Sequence, residues 1–180
     1  MYIFAYFIDK NKELQLMKTL YLARHAKSSW KSPELMDIDR PLNKRGKRDA
    51  PIMGEALNQK GVNIDLIVTS PANRARLTAE SIAKEIGYKK KNIVVDDDLY
   101  EFSSSGLIKV IQQFDNEFDS VMMFGHNPGF TTLNNSLTDQ YIDNIPTGGI
   151  VCIQFDLKWN KIKSNTGKTQ FFIYPKMYSS

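Results

Sequence analysis

Short apolar runs alternate with stretches of helical periodicity along the chain, and this alternation narrows the fold more than any other feature. Thr19 to Ala23 reads as a strand. Asn43 is placed to cap a helix running to about Lys60, with Ile52, Met53, Ala56 and Leu57 inward and Gly61 as terminator. Asp65 to Thr69 is the next strand, and Ser70-Pro71 reads as a cap followed by a first helical position. Ala75, Ala79, Ile82, Ala83 and Ile86 mark the buried face of that helix. Ile93 to Val95 forms a third strand, serines 103 to 105 open a helix, and Ser120 to Phe124 forms a fourth strand. Asn127-Pro128 starts a helix carrying Phe130, Leu133 and Leu137, and strands at Ile150 to Phe155 and Gln170 to Tyr174 close the chain. The pattern predicts an α/β fold, a three-layer α/β/α sandwich around a mostly parallel sheet. We read one domain over residues 17–180, preceded by an extension, residues 1–16, to which the sequence assigns no role.

Right-handed crossovers place every strand-to-helix loop of such a sheet on one edge, where open α/β proteins bind ligands. The loops after the first four strands carry Arg24-His25-Ala26-Lys27-Ser28, Ser70-Pro71-Ala72-Asn73-Arg74, Leu99-Tyr100-Glu101 and Gly125-His126-Asn127-Pro128. Both histidines of the chain, two arginines and a carboxylate therefore fall on the same edge. Helix N-termini after Ser70 and Asn127 favour an anion there. Arg24 and Arg74 offer planar, bidentate clamps suited to phosphate. A neutral imidazole among them is a competent nucleophile towards phosphorus, and the arginines disfavour its protonation. A histidine at a strand end is, taken singly, more often a hydrogen-bonded structural residue. The joint arrangement reverses that weighting, because gathering buried cations is costly without an anion. A metal site is the weaker reading: neither HxxxH nor CxxC spacing is present, and adjacent arginines repel a cation.

Other features exclude rather than assign. A net charge of +4 and a pI near 9.0 favour anionic ligands without pointing to nucleic acid. The basic runs, Lys89 to Lys91 and Lys44 to Arg48, are short, and no aromatics interleave them as a single-strand-binding groove requires. Cys152 is the only cysteine and sits in an apolar run, which reads as a buried strand thiol in a cytoplasmic protein. The apolar stretch Tyr2 to Ile8 is too short to span a bilayer and lacks the basic leader of a signal peptide, so no membrane partner is expected.

Leu20 to Ser28, with Arg24-His25, resembles the signature of the histidine phosphatase superfamily, the phosphoglycerate mutase-like fold. Ser70-Pro71 with Arg74, Ala75 and Thr78-Ala79 is similar to its second motif, and Gly125 to Pro128 and Pro146 to Gly149 to the later ones. Arg40-Pro41-Leu42 followed by Gly46, with the compact length, resembles the SixA-type phosphohistidine phosphatases. The match covers about Met17 to Pro175, and the position of Lys18-Thr19-Leu20 implies Met17 as the natural start.

The resemblance implies that His25 attacks phosphorus and becomes a phosphohistidine that water hydrolyses, without cofactor or metal. Arg24, Arg74 and His126 would hold the phosphoryl oxygens, with Ser28 and Asn127 as further phosphate contacts. Lys31 departs from the asparagine common in relatives. Glu101 stands where many members keep a catalytic glutamate that SixA-type relatives often lack, so its role stays open between general acid and surface residue. The short stretch Asp96 to Ser103 leaves no long insertion over the site, which favours phosphohistidine on a protein as substrate. A small-molecule phosphomonoesterase using the same nucleophile and a non-catalytic phosphate-binding module are the alternatives. Oligomeric state is not legible.

Overall fold

A computed structural model describes residues 17–32, 34–100 and 103–178; the extension 1–16 and Glu101 lie outside the described residues. The described residues hold these strands and α-helices in chain order: β1 (Lys18–Arg24), α1 (Lys44–Gln59), β2 (Leu66–Thr69), α2 (Asn73–Glu85), β3 (Val94–Val95), α3 (Ser104–Gln112), β4 (Ser120–Gly125), α4 (Gly129–Leu137), β5 (Ile150–Phe155) and β6 (Lys168–Ile173). They form one six-stranded sheet in the order β3-β2-β4-β1-β5-β6. The β1–β4, β2–β4 and β2–β3 pairs are parallel, and β5 joins β1 and β6 in antiparallel fashion. The α/β/α sandwich with a mostly parallel sheet is therefore present.

Its layering follows from alternation within the strands. Leu20 and Leu22 of β1 and Val121 and Met123 of β4 pack on one face, against Leu107, Val110 and Ile111 of α3 and Phe130, Leu133 and Leu137 of α4. Tyr21, Ala23, Met122 and Phe124 face the other way, onto Met53, Ala56 and Leu57 of α1 and Ala75, Ala79 and Ile82 of α2. Burying each large apolar side chain contributes about 1.5–3 kcal/mol. A sheet apolar on both faces is stable only when both are covered, which the crossover helices do. Cys152 is buried as expected, and burial pushes its thiol up to about 11. No helix among the described residues is long and apolar enough to cross a membrane.

Several boundaries differ from the sequence reading. α2 begins at Asn73, not Pro71, with Ala72 at the cap position and no capping side chain. The Ser70 hydroxyl is engaged elsewhere, at 2.8 Å from Nε2 of His126, and also accepts from Ala72 N at 3.3 Å. α4 begins at Gly129, two residues after Asn127, although Asn127 Oδ1 still accepts from Thr131 N at 3.3 Å. β3 is two residues long and half-exposed, because Ile93 closes a 3-10 turn instead of extending the strand. Ile52 lies at the margin of the buried face of α1 and is only half-buried.

At the far edge of the sheet the buried ammonium of Lys18 donates to Asp119 Oδ1 at 2.6 Å and Asn116 O at 2.7 Å, so the desolvated charge is paired. At the other edge, α1 starts as expected: the Asn43 side chain accepts from Gly46 N at 2.9 Å. Asn43 N donates to Lys27 O at 3.0 Å, which docks the helix onto the turn that follows His25. A Cβ on Gly46 would sit 2.2 Å from Lys27 O, so no side chain fits without displacing that backbone. We predict that Gly46→Ala costs about 1–3 kcal/mol by overpacking, read as a lower urea midpoint with an unchanged m-value.

Candidate active site

The loops that carry the histidines diverge at one point in the sheet. β1 leads to α1 on one face and its neighbour β4 leads to α4 on the other, which opens a crevice between their ends. Arg24 lies opposite Gly125 in the β1–β4 register, and His25 N donates to Gly125 O at 3.0 Å. The next residue of β4's loop is His126. Backbone pairing thus sets the imidazoles side by side, with ring centroids 5.0 Å apart and planes inclined at 53°. Ser70 N donates to Phe124 O at 2.9 Å, which brings the end of β2 alongside. On the opposite flank Gly148 N donates to the carbonyls of Arg24 (3.2 Å) and His25 (3.1 Å). Its φ of +77° is a left-handed conformation suited to glycine.

Hydrogen bonds define the state of each ring. His25 Nδ1 lies 2.8 Å from Ala26 O, an acceptor only, so in the neutral ring Nδ1 carries the proton and Nε2 the lone pair. Burial holds the His25 pKa down to about 4; the Ala26 carbonyl opposes this, and the charges of Arg74, Arg24 and Arg40 reinforce it. His126 is held down to about 3 by burial, then by the neighbouring His25 and Arg74, with Asp37 acting the other way. Both imidazoles are therefore neutral near pH 7. The turn itself is fixed from α2: Ala26 N donates to the buried Thr78 hydroxyl at 3.0 Å, which donates to Arg74 O at 2.6 Å.

The cations surround these rings. Arg24 Nη1 donates to Ile145 O at 2.6 Å and Asn144 Oδ1 at 3.3 Å, while its buried Nε meets no acceptor among the described residues. Burial lowers its pKa. Asn127 Nδ2 donates to the same two groups, Asn144 Oδ1 at 2.8 Å and Ile145 O at 3.1 Å. Its amide thus holds the loop on which Arg24 rests. Ser28 is buried, and its hydroxyl accepts from Arg40 Nη2 at 2.8 Å, leaving its own proton to donate.

The structure also brings in a residue of the loop between β1 and α1. Asp37 receives Arg74 twice, Nη1 on its carbonyl at 2.6 Å and Nη2 on Oδ2 at 2.9 Å. Arg40 Nη1 reaches its Oδ1 at 2.7 Å, and the Tyr100 hydroxyl donates to Oδ2 at 3.1 Å. Desolvation works against the carboxylate, but the bonds and charges of Arg74, Arg40 and Tyr100 outweigh it and hold its pKa below the ordinary value. Tyr100 in turn packs edge-on to His126, with centroids 5.7 Å apart. The only local signal for this network was the Asp37/Arg40 spacing; the partnership with Arg74 crosses 37 positions and leaves no local trace. Among the described residues no three His, Cys, Asp or Glu side chains converge to hold a metal ion.

Comparison with known proteins agrees with this geometry. The family model of the histidine phosphatase superfamily (branch 1) matches residues 20–120, and the chain belongs to that superfamily. An uncharacterized chloroplastic protein of Arabidopsis thaliana is 27% identical over 160 residues, 84% of this chain and 73% of its own. SixA from Agrobacterium tumefaciens superposes with a TM-score of 0.73 at 28% identity, over 88% of this chain and 98% of that one. A protein histidine phosphatase SixA complexed with tungstate gives 0.78 at 20% identity, over 89% and 99%, a likeness of fold. Family and SixA-like structure together support the activity of a phosphatase.

Both imidazoles are harder to protonate in the fold than in the unfolded chain, whose histidines titrate near about 6.5. Below that pH the unfolded chain binds more protons, so stability falls as pH drops from about 6.5 towards the folded values near 4 and 3. We predict a lower urea midpoint at pH 5 than at pH 7. NMR titration of the two rings will show chemical shifts that stay level from pH 8 to pH 5. A midpoint near the ordinary histidine value for either ring contradicts the reading.

Proposed function

We propose that the protein is a histidine phosphatase that removes phosphate from phosphohistidine on protein substrates, with His25 as nucleophile. The observation that carries this is the pair of imidazoles 5.0 Å apart, one with its Nδ1 on Ala26 O, beside the guanidinium groups of Arg24 and Arg74. Nε2 of His25 attacks phosphorus in line, and a nitrogen–phosphorus bond forms as the bond to the substrate imidazole breaks. When the far nitrogen of that imidazole already carries a proton, it departs as a neutral ring. His25 keeps its Nδ1 proton on Ala26 O throughout, so the phosphorylated ring is cationic and primed to leave. Water then attacks phosphorus, the bond to Nε2 breaks, orthophosphate leaves as the dihydrogen anion with the oxygen and both protons of that water, and the neutral ring returns.

Arg24, Arg74 and His126 hold the phosphoryl oxygens and stabilise the charge that spreads over them in transfer. The guanidinium groups supply this positive charge, and the transfer proceeds without a metal ion. The Ser28 hydroxyl donates to a phosphoryl oxygen while accepting from Arg40. Asn127 acts by holding Ile145 O, on which Arg24 rests. Asp37 aims the Arg74 fork and, as a carboxylate, does not serve as the acid. Glu101 supplies the proton that an alcohol leaving group needs and a phosphohistidine does not, a contribution of typically ~10²–10⁴-fold.

A protein substrate is supported by the surroundings of the site. The connection from β3 to α3 is short. Trp30 and Met36, 74% and 71% exposed, stand on the loop that carries Asp37 and Arg40, and Tyr141, 75% exposed, stands on the loop that carries Asn144. Large exposed apolar side chains of this kind are typical of protein contact surfaces. We read residues 17–180 as the catalytic domain and 1–16 as an extension, and we place the protein in the cytoplasm, where its one thiol stays reduced.

Trapping tests the chemistry. Labelled phosphohistidine substrate, quenched in alkali, is expected to leave a base-stable, acid-labile label on residue 25, absent in His25→Ala; label elsewhere, or none in a turning-over enzyme, overturns the assignment. Substrate class is tested by Glu101→Gln, expected to lose activity on an alkyl phosphate such as phosphoserine, whose alkoxide needs a proton to leave, and to retain it on a phosphohistidine peptide. Equal loss on both marks a general ester phosphatase instead. Asp37→Ala is expected to lower kcat/KM by about tenfold to a hundredfold through misaligned Arg74, with the trapped label still on residue 25.

A further inference from the structure

The loop 144–149 has two sides. On one, Asn144 and Ile145 O meet Arg24, and Gly148 N meets the His25 carbonyl. On the other lies a cleft of about 430 Å³, bounded by α1 and by the turn at 174–176. Pro146, Tyr174 and Pro175 give it an apolar lining, and Arg45, Arg48 and Lys176 line it with cations. The catalytic machinery described above uses none of these residues.

The arginines are held in place. Asp49, 4% exposed, accepts from Nε and Nη2 of Arg48 at 2.9 and 2.8 Å, and its second oxygen lies 3.7 Å from Nε of Arg45. Arg45 Nη2 also donates to the Thr147 hydroxyl at 3.0 Å, across the cleft to the loop. One carboxylate therefore orients two guanidinium groups but leaves the cleft positive, with three cations against it. The arginine side chains remain 53% and 61% exposed, so N–H groups not spent on Asp49 or Thr147 face solvent. Cations preset around an apolar lining are complementary to a ligand that is both acidic and partly apolar.

We propose that this cleft is a docking subsite for an acidic polypeptide segment bearing an apolar side chain, adjacent to the phosphorylated residue of the substrate protein. The inference rests on the protein-substrate reading above and adds how the substrate is chosen. The apolar side chain lies on Pro146 and Tyr174, and the carboxylates meet Arg45, Arg48 and Lys176. Thr147 is directly bonded to Gly148, which holds the His25 carbonyl. A chain seated in the cleft is therefore one loop away from the nucleophile.

Direct binding tests the subsite without using catalysis. A fluorescein-labelled, unphosphorylated peptide with one tyrosine among several glutamates is titrated with the full chain and followed by anisotropy. We expect saturable binding that weakens with added salt, is not displaced by orthophosphate, and is absent for the same peptide with lysines in place of glutamates. Arg48→Ala and Lys176→Glu are each expected to weaken it by roughly fivefold. Lys176→Glu changes an exposed side chain in the terminal turn and keeps the test valid if loss of the Asp49 partner destabilises Arg48→Ala. Displacement of the peptide by orthophosphate, binding unchanged in Lys176→Glu, or no binding overturns the proposal. Such a failure with the label still trapped on residue 25 removes the subsite alone, whereas loss of the label removes the underlying chemistry.

Discussion

The backbone pairing of β1 with β4 is the constraint from which the site follows. Arg24 opposite Gly125, with His25 N on Gly125 O, sets the two histidines at the ends of neighbouring parallel strands. A slip of one residue in either strand would exchange its faces, turning Ala23 or Phe124 from the α1/α2 layer towards the α3/α4 layer. Both layers are fully packed, so the register is held by the core on both sides of the sheet. The imidazole separation is thereby a consequence of packing some distance from the chemistry.

Charge is organised around that pair in a consistent way. Burial, reinforced by three guanidinium groups, biases the His25 imidazole towards neutrality, which keeps its lone pair. The cations would destabilise the fold if left unpaired, and Asp37 and the Ile145 carbonyl compensate them. The Nε of Arg24 is buried with no acceptor among the described residues, a donor that a phosphoryl oxygen could satisfy. An oxyanion entering here meets positive charge whose alignment was established during folding, so little reorganisation accompanies transfer.

How much of this was legible in the sequence differs by residue. Arg24, His25, Arg74 and His126 were readable because each follows an apolar strand, and strand ends of a parallel sheet share an edge. Asn43 as cap and Gly61 as terminator were readable because capping depends on neighbours within a few positions. Ser70 was misread as a cap because its hydroxyl is drawn away by His126, 56 positions later. The place of Asp37 was not readable because Arg74 and Tyr100 reach it from other elements.

The amino-acid sequence alone determined the fold class, the strand and helix order, and the edge on which both histidines and the arginines gather. Period-two and period-3.6 apolar patterns are local properties, and crossover handedness does the rest. Only the tertiary structure decided which ring nitrogen carries the lone pair, how far the imidazoles are depressed, and which carboxylate aims Arg74. Those depend on burial and on partners far away in the chain, and no local pattern encodes a contact that exists only once the layers have packed.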